Sequence, residues 1–212
     1  MSKRTRIRGG AMFAEGTFPA TAMPDSDWWR ALWPAPERVL ADLGIEPGLD
    51  IVDLCCGDGH FTAAIAQQGS RVAALDIDPR MLQLARAKVA PAAAGHCTFI
   101  EGDACDLAAL VPWPADLVFM ANTLHGVPDK QRLARAVAAI LKPSGRFVVI
   151  NWHRRPREET QVLGKPRGPM TEMRMESKDV AAALEPCALR IERIIDLPPY
   201  HYGAILKKDA AQ

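Results

Sequence analysis

The apolar positions of this chain fall in short continuous runs that alternate with longer stretches of helical spacing. Ile51 to Cys56 is such a run, followed at once by Gly57 and Gly59 and then by a helical pattern from about Phe61. Arg71 to Asp76 is a second run, ending in an acid; Asp78 and Pro79 then supply an N-cap and a first-turn proline for a helix through Val89. Cys97 to Ile100 and Ala115 to Ala121 are runs three and four. Asp129 caps a helix carrying Leu133, Val137 and Ile140, and Pro143-Ser144-Gly145 turns the chain into a fifth strand, Arg146 to Trp152. After the long segment 153–176, Ser177 opens a last helix to Leu184. Two closing runs, Leu189 to Leu197 and Tyr200 to Lys207, are separated only by Pro198-Pro199 and should pair as an antiparallel hairpin.

Strands alternating with helices predict a three-layer α/β/α sandwich around a mostly parallel sheet. Residues 1–24 show little periodicity and read as a flexible tail, leaving 25–212 as one domain. A short helix through Trp28, Trp29, Leu32 and Trp33 precedes a second, from Glu37 to Leu43. Its three tryptophans fit core packing against the sheet, and also a lid over a ligand crevice.

Composition excludes more than it selects. The chain has 212 residues, 49% hydrophobic, and a net charge of +1, which gives no global bias towards nucleic acid or membrane. No apolar run reaches the ~20 residues of a membrane helix. The basic N-terminus (Lys3, Arg4, Arg6, Arg8) lacks the apolar segment of a signal peptide. Five cysteines, two of them adjacent in an apolar run, make neither a disulfide framework nor a zinc pattern, so no metal site is expected and a reducing, cytoplasmic setting fits. Segment 153–176 is rich in proline and glycine and carries six Lys/Arg against four glutamates; both an anionic ligand and simple solvation account for that.

The chemistry concentrates at Asp53-Leu54-Cys55-Cys56-Gly57-Asp58-Gly59. A strand, a glycine turn and a helix start present free N–H groups at the carboxyl end of the sheet, where ligands of open α/β sheets collect. A dinucleotide pattern beginning at Gly57 would need glycine where Thr62 stands, and Asp58 would set a negative charge beside a pyrophosphate. With Asp76 ending strand two and Asp103 following strand three, the chain resembles a class I S-adenosylmethionine-dependent methyltransferase over roughly residues 30–207. Cys55 replaces the first of that family's three alternating glycines.

The resemblance implies a seven-stranded Rossmann-like sheet of order 3-2-1-4-5-7-6 with an antiparallel C-terminal strand. It implies S-adenosylmethionine as cofactor and S-adenosylhomocysteine as product. Asp53, Cys55, Gly57, Gly59, Asp76, Ile77, Asp103, Ala104 and Asn122 then become the cofactor-binding residues. Asn122-Thr123-Leu124-His125 follows strand four where many methylases of nucleic-acid bases or protein glutamine carry Asn-Pro-Pro-Tyr, which tilts towards a small-molecule acceptor. His125 is the candidate general base; that it only caps or packs against the next helix stays open. His153 is the weaker alternative; His201, between Tyr200 and Tyr202, fits an acceptor pocket and also an ordinary strand, and His60 lies in the glycine turn and shapes it. A non-catalytic cofactor-binding protein, an RNA or protein methyltransferase and an NAD-linked oxidoreductase are the alternatives. The acceptor atom and any oligomeric state are not readable from the sequence.

Overall fold

The computed structural model describes residues 26–209; the tail expected at 1–24 lies outside them. Helices α1 (Ser26–Leu32) and α2 (Pro36–Asp42) come first. β1 (Asp50–Leu54), α3 (His60–Gln67), β2 (Arg71–Asp76), α4 (Pro79–Lys88), α5 (Pro91–Ala94) and β3 (Cys97–Glu101) follow. Next are α6 (Leu107–Leu110), β4 (Ala115–Ala121), α7 (Lys130–Ile140) and β5 (Leu141–Trp152). A small hairpin, β6 (Gln161–Val162) and β7 (Lys165–Pro166), precedes α8 (Ser177–Leu184), β8 (Leu189–Leu197) and β9 (His201–Lys208).

The main sheet has the order β3-β2-β1-β4-β5-β9-β8. The first five strands run parallel, and β9 lies antiparallel between β5 and β8. This is the expected order, with the terminal hairpin in the expected place. It also parts from an all-parallel dinucleotide-binding sheet at its sixth strand.

Side chains of successive strand residues point to opposite faces, so each strand feeds two cores. Val52 and Leu54 join Val118, Phe147, Val149 and Leu206 under α6, α7 and α8. Ile51 joins Leu117, Phe119, Val148, Ile150 and Ile205 under α1, α2 and α3. Burying each such side chain stabilises by about 1.5–3 kcal/mol. Trp28, Trp29 and Trp33 are buried in this second layer.

Three boundaries differ from the sequence reading, each for a local reason. β1 stops at Leu54, because Cys55 turns left-handed (φ +59°) and leaves the strand. β5 begins at Leu141, before the proline turn: Leu141 already pairs with Ala115, and a register shift absorbs residues 142–145 before Arg146 meets Leu117. α8 is capped by Glu176 instead of Ser177; its N–H donates to the Asp179 carboxylate at 2.8 Å, the reciprocal half of a capping box. The hairpin β6–β7 within segment 153–176 has no counterpart in the periodicity.

Candidate active site

The turn after β1 is built from left-handed backbone. Cys55, Gly57 and Gly59 all have positive φ (59°, 55° and 79°). Glycine adopts this region at little steric cost, whereas a side chain costs about 1–2 kcal/mol there. Cys55 bears that strain. Gly59 is restricted twice over, because a Cβ at this position would stand 2.6 Å from Ala85 Cα and 2.7 Å from its Cβ. The turn can therefore lie tight against α4 only with glycine at 59.

Asp76 ties this turn to the next. Its Oδ2 accepts the Gly57 N–H at 2.8 Å, and its Oδ1 accepts the Asp78 N–H at 2.9 Å. Asp78 in turn caps α4 by accepting the Arg80 N–H at 2.9 Å. Asp103 caps the following turn, accepting the Cys105 N–H at 2.8 Å. Burial pushes the Cys55 thiol well up, and Asp76, Asp53 and Asp103 push it further, because all three carboxylates surround it. Asp76 and Asp103 thus stand at the carboxyl ends of the neighbouring strands β2 and β3, followed in sequence by half-buried Ile77 and Ala104.

Asn122 completes the group. It also takes a left-handed conformation (φ +59°), directly after β4, with its N–H donated to the Ile150 carbonyl at 2.8 Å. Both atoms of its side-chain amide are buried without a hydrogen-bond partner. A buried unpaired amide costs about 1–3 kcal/mol, so this one is set up for a group that arrives from outside. Each Asp76 oxygen also keeps a further lone pair. These donors and acceptors fit the ribose hydroxyls, amine and adenine of S-adenosylmethionine.

Asp53 and Asp58 sit differently from the sequence reading. Asp53 is 3% exposed and lies on the α3 face, where its Oδ2 accepts the Thr62 hydroxyl. Burial lifts its pKa to about 7, against the Thr62 hydrogen bond, with the Asp76 charge adding to the rise. Asp58 turns away from the glycine backbone and pairs with Lys88 of α4. Its charge is neutralised in place, so it does little to repel a pyrophosphate. The case against a dinucleotide rests instead on Thr62, occupied in holding Asp53, and on antiparallel β9.

His125 follows β4 in a short turn. Burial, with Lys130 and Arg174 adding repulsion, lowers its pKa to about 4. His153 is half-exposed and pairs with Asp196 at 2.8 Å. His60, first residue of α3, bonds through Nε2 to the Trp33 carbonyl at 3.0 Å and so joins the glycine turn to the segment after α1. Among the described residues, no three His, Cys, Asp or Glu side chains come together as a metal site.

The largest surprise is Arg174. It is 2% exposed, and its hydrogen-bond partners among the described residues are carbonyls and one hydroxyl. Its Nε donates to the Pro169 carbonyl (3.2 Å) and its Nη1 to the Arg155 and His153 carbonyls (3.0 and 3.5 Å). Its Nη2 donates to Thr160 Oγ1 (2.9 Å) and to the Arg167 carbonyl (3.2 Å). All five N–H groups are used, and the guanidinium lies 5.1 Å from the Trp152 ring centroid. One cation thereby fixes the shape of segment 153–174. No periodicity signals an arginine whose partners are carbonyls.

Sheet order and glycine turn together give the fold of the class I S-adenosylmethionine-dependent methyltransferases, and the relatives the chain matches are methyltransferases. Residues 51–145 match the family model described as a methyltransferase domain. An uncharacterised methyltransferase of Synechocystis sp. is 36% identical over 117 residues, 54% of this chain and 52% of that protein. The demethylmenaquinone methyltransferase of Lactococcus lactis is 32% identical over 127 residues, 58% of this chain and 48% of that protein. The chain thus spans about half the length of the curated relatives it matches. A crystal structure of a SAM-dependent methyltransferase from Aquifex aeolicus shares the fold, with a TM-score of 0.72 at 21% identity over 87% of this chain and 94% of that one.

Proposed function

We propose that this protein transfers a methyl group from S-adenosylmethionine to a small-molecule acceptor. What supports the proposal is the hydrogen bond of Asp76 to the left-handed turn at residues 55–59, with Asp103 and the unpaired Asn122 amide at the carboxyl ends of β3 and β4 in the same sheet. The demethylmenaquinone methyltransferase among its relatives supports a small acceptor.

When bound, S-adenosylmethionine supplies a methyl carbon already activated by its sulfonium. The protein then has only to align the reactants and exclude water, and alignment alone is worth about 7–11 kcal/mol. In this reading Asp76 and Ile77 would hold the ribose, Asp103 and Ala104 the adenine, and the backbone of Cys55, Gly57 and Gly59 the amino-acid end. Asp53 supports the turn from beneath through Thr62. His125, neutral at pH 7 and held near pKa 4, is a poor match for a general base, whose best pKa lies near the working pH.

Calorimetric titration tests the donor half: S-adenosylhomocysteine should bind and NAD should not. Production of S-adenosylhomocysteine with a panel of small acceptors tests the reaction; binding without turnover on any acceptor would favour a non-catalytic binding protein.

A further inference from the structure

The tip of the hairpin β6–β7 is costly in two ways at once. Its two-residue turn, Leu163-Gly164, is left-handed at both places (φ +52° and +71°). Such turns favour asparagine or glycine at the first place, because a larger side chain is strained there. Leu163 bears that strain. It is also 59% exposed, more than any other large apolar residue among those described. Strain and exposed apolar area on one residue point to a contact made outside the chain.

The tip stands on a fixed mount. Val162, one residue earlier, is buried in the core layer under α1, α2 and α3. Tyr200 holds Gln161 from the start of the closing hairpin: its hydroxyl accepts the Gln161 N–H at 3.2 Å and donates to the Gln161 carbonyl at 2.9 Å. At the base, the Arg167 N–H donates to the Thr160 carbonyl at 2.9 Å, and Arg174 donates to the Thr160 hydroxyl and the Arg167 carbonyl. The Arg167 guanidinium lies 5.1 Å from the Trp28 ring centroid of α1. The exposed leucine is therefore presented by backbone that is tied down on both strands.

Charge at the tip has one sign. Residues 161–167 hold Lys165 and Arg167 and no acid, and Lys165 is exposed. The segment's four glutamates lie outside the hairpin: Glu158 and Glu159 in the turn Arg157–Glu159, Glu172 in the turn Thr171–Met173, and Glu176 at the cap of α8.

We propose that this hairpin docks the protein on an anionic membrane surface, with Leu163 entering the acyl boundary and Lys165 at the headgroups. A lipid surface takes one projecting leucine without a shaped pocket and gains from each flanking cation. A stable protein interface needs about 800 Å² from each partner, far more than a two-residue tip supplies. The segment leaves the carboxyl end of β5, the end of the sheet that also carries the glycine turn. Docking brings that end to the lipid, and the proposal stands independently of the methyltransferase reading.

Vesicle flotation of the full chain tests this, using phosphatidylcholine alone and phosphatidylcholine with about one third phosphatidylglycerol. At about 0.05 M salt the anionic vesicles should carry at least about tenfold more protein than the neutral ones, and most of that should be lost at about 0.5 M. Leu163→Asn should lower partitioning at least about fivefold. Asparagine suits the left-handed turn, so this variant should melt no lower than the parent, which shows that it is folded. Lys165→Glu should lower binding to anionic vesicles about tenfold. No binding to anionic vesicles, or equal binding to both kinds, would overturn the inference. Binding that Leu163→Asn leaves unchanged would also overturn it, moving the attachment to another basic stretch such as the N-terminal residues. A Leu163-dependent dimer in sedimentation velocity, without vesicle binding, would overturn it in favour of a second copy of the chain.

Discussion

The donor turn and segment 153–174 solve the same problem in opposite ways. Each must fix irregular backbone at the carboxyl end of the sheet. The turn does it with anions: carboxylates of Asp76, Asp78 and Asp103 accept backbone N–H groups from the turns after β1, β2 and β3. Segment 153–174 does it with one cation, Arg174, which donates to the carbonyls of residues 153, 155, 167 and 169. The first arrangement spreads its hydrogen bonds over three short-range acids. The second gathers them on one side chain, so its integrity hangs on a single residue.

Arg174→Met should therefore have the largest effect. It strips up to five acceptors of their donor, at about 1–3 kcal/mol for each that stays buried. Relief of burying an unpaired cation offsets part of this, leaving a net loss of about 3 kcal/mol. Thermal unfolding should shift downward, and amides of residues 155–171 should exchange faster. S-adenosylhomocysteine affinity should change little; a large drop would mean the two regions are not separable.

Asp53 tests the turn's support. Its folded pKa of about 7 lies above its unfolded value near 3.8. The unfolded chain therefore gives up the proton first as pH rises, and stability falls between about pH 4 and pH 7. Asp53→Asn removes that slope, so the variant should gain on the parent by about 2–4 kcal/mol over the window. His125 and His201 act in the opposite sense, since their folded pKa values are depressed, but they are common to both proteins and cancel in the difference. Melting at pH 5 and pH 8 checks this; parallel curves would remove the raised pKa.

Asp76→Ala comes next. It should weaken S-adenosylhomocysteine binding by about 1–3 kcal/mol in calorimetry, through lost charge-assisted hydrogen bonds. The same change frees the Gly57 and Asp78 N–H groups, so some stability should go with it. Unchanged affinity would take Asp76 out of the cofactor site.

These contrasts explain what the sequence could reveal. The glycine turn and the acids beyond it were legible because their pattern is local: glycines at fixed offsets after run one, and an acid at or just after the end of runs two and three. Asp76 and Asp103 stand where that pattern puts them. Asp58 was misjudged because its partner, Lys88, lies thirty positions on in α4. The aromatic cluster of Trp33, Trp152 and His201 was legible only in part: the tryptophans read as core or lid, but the three residues come from distant segments, joined only when β9 enters the sheet antiparallel beside β5.

The smallest effect is also the most informative about the turn. Cys55→Gly relieves a left-handed conformation that costs a side chain about 1–2 kcal/mol. Glycine returns about 0.5–1 kcal/mol of that through its freer unfolded chain, and the thiol's packing against the α7 side of the sheet is lost as well. The balance predicts a gain of about 0.5 kcal/mol, read as a slightly raised melting temperature with cofactor affinity unchanged. The sign decides between two accounts of the cysteine. A stabilised variant makes Cys55 a tolerated strain in the turn that Gly59 holds against Ala85. A destabilised one means that its half-buried side chain, among Asp53, Asp76 and Asp103, fills space the three carboxylates need kept dry.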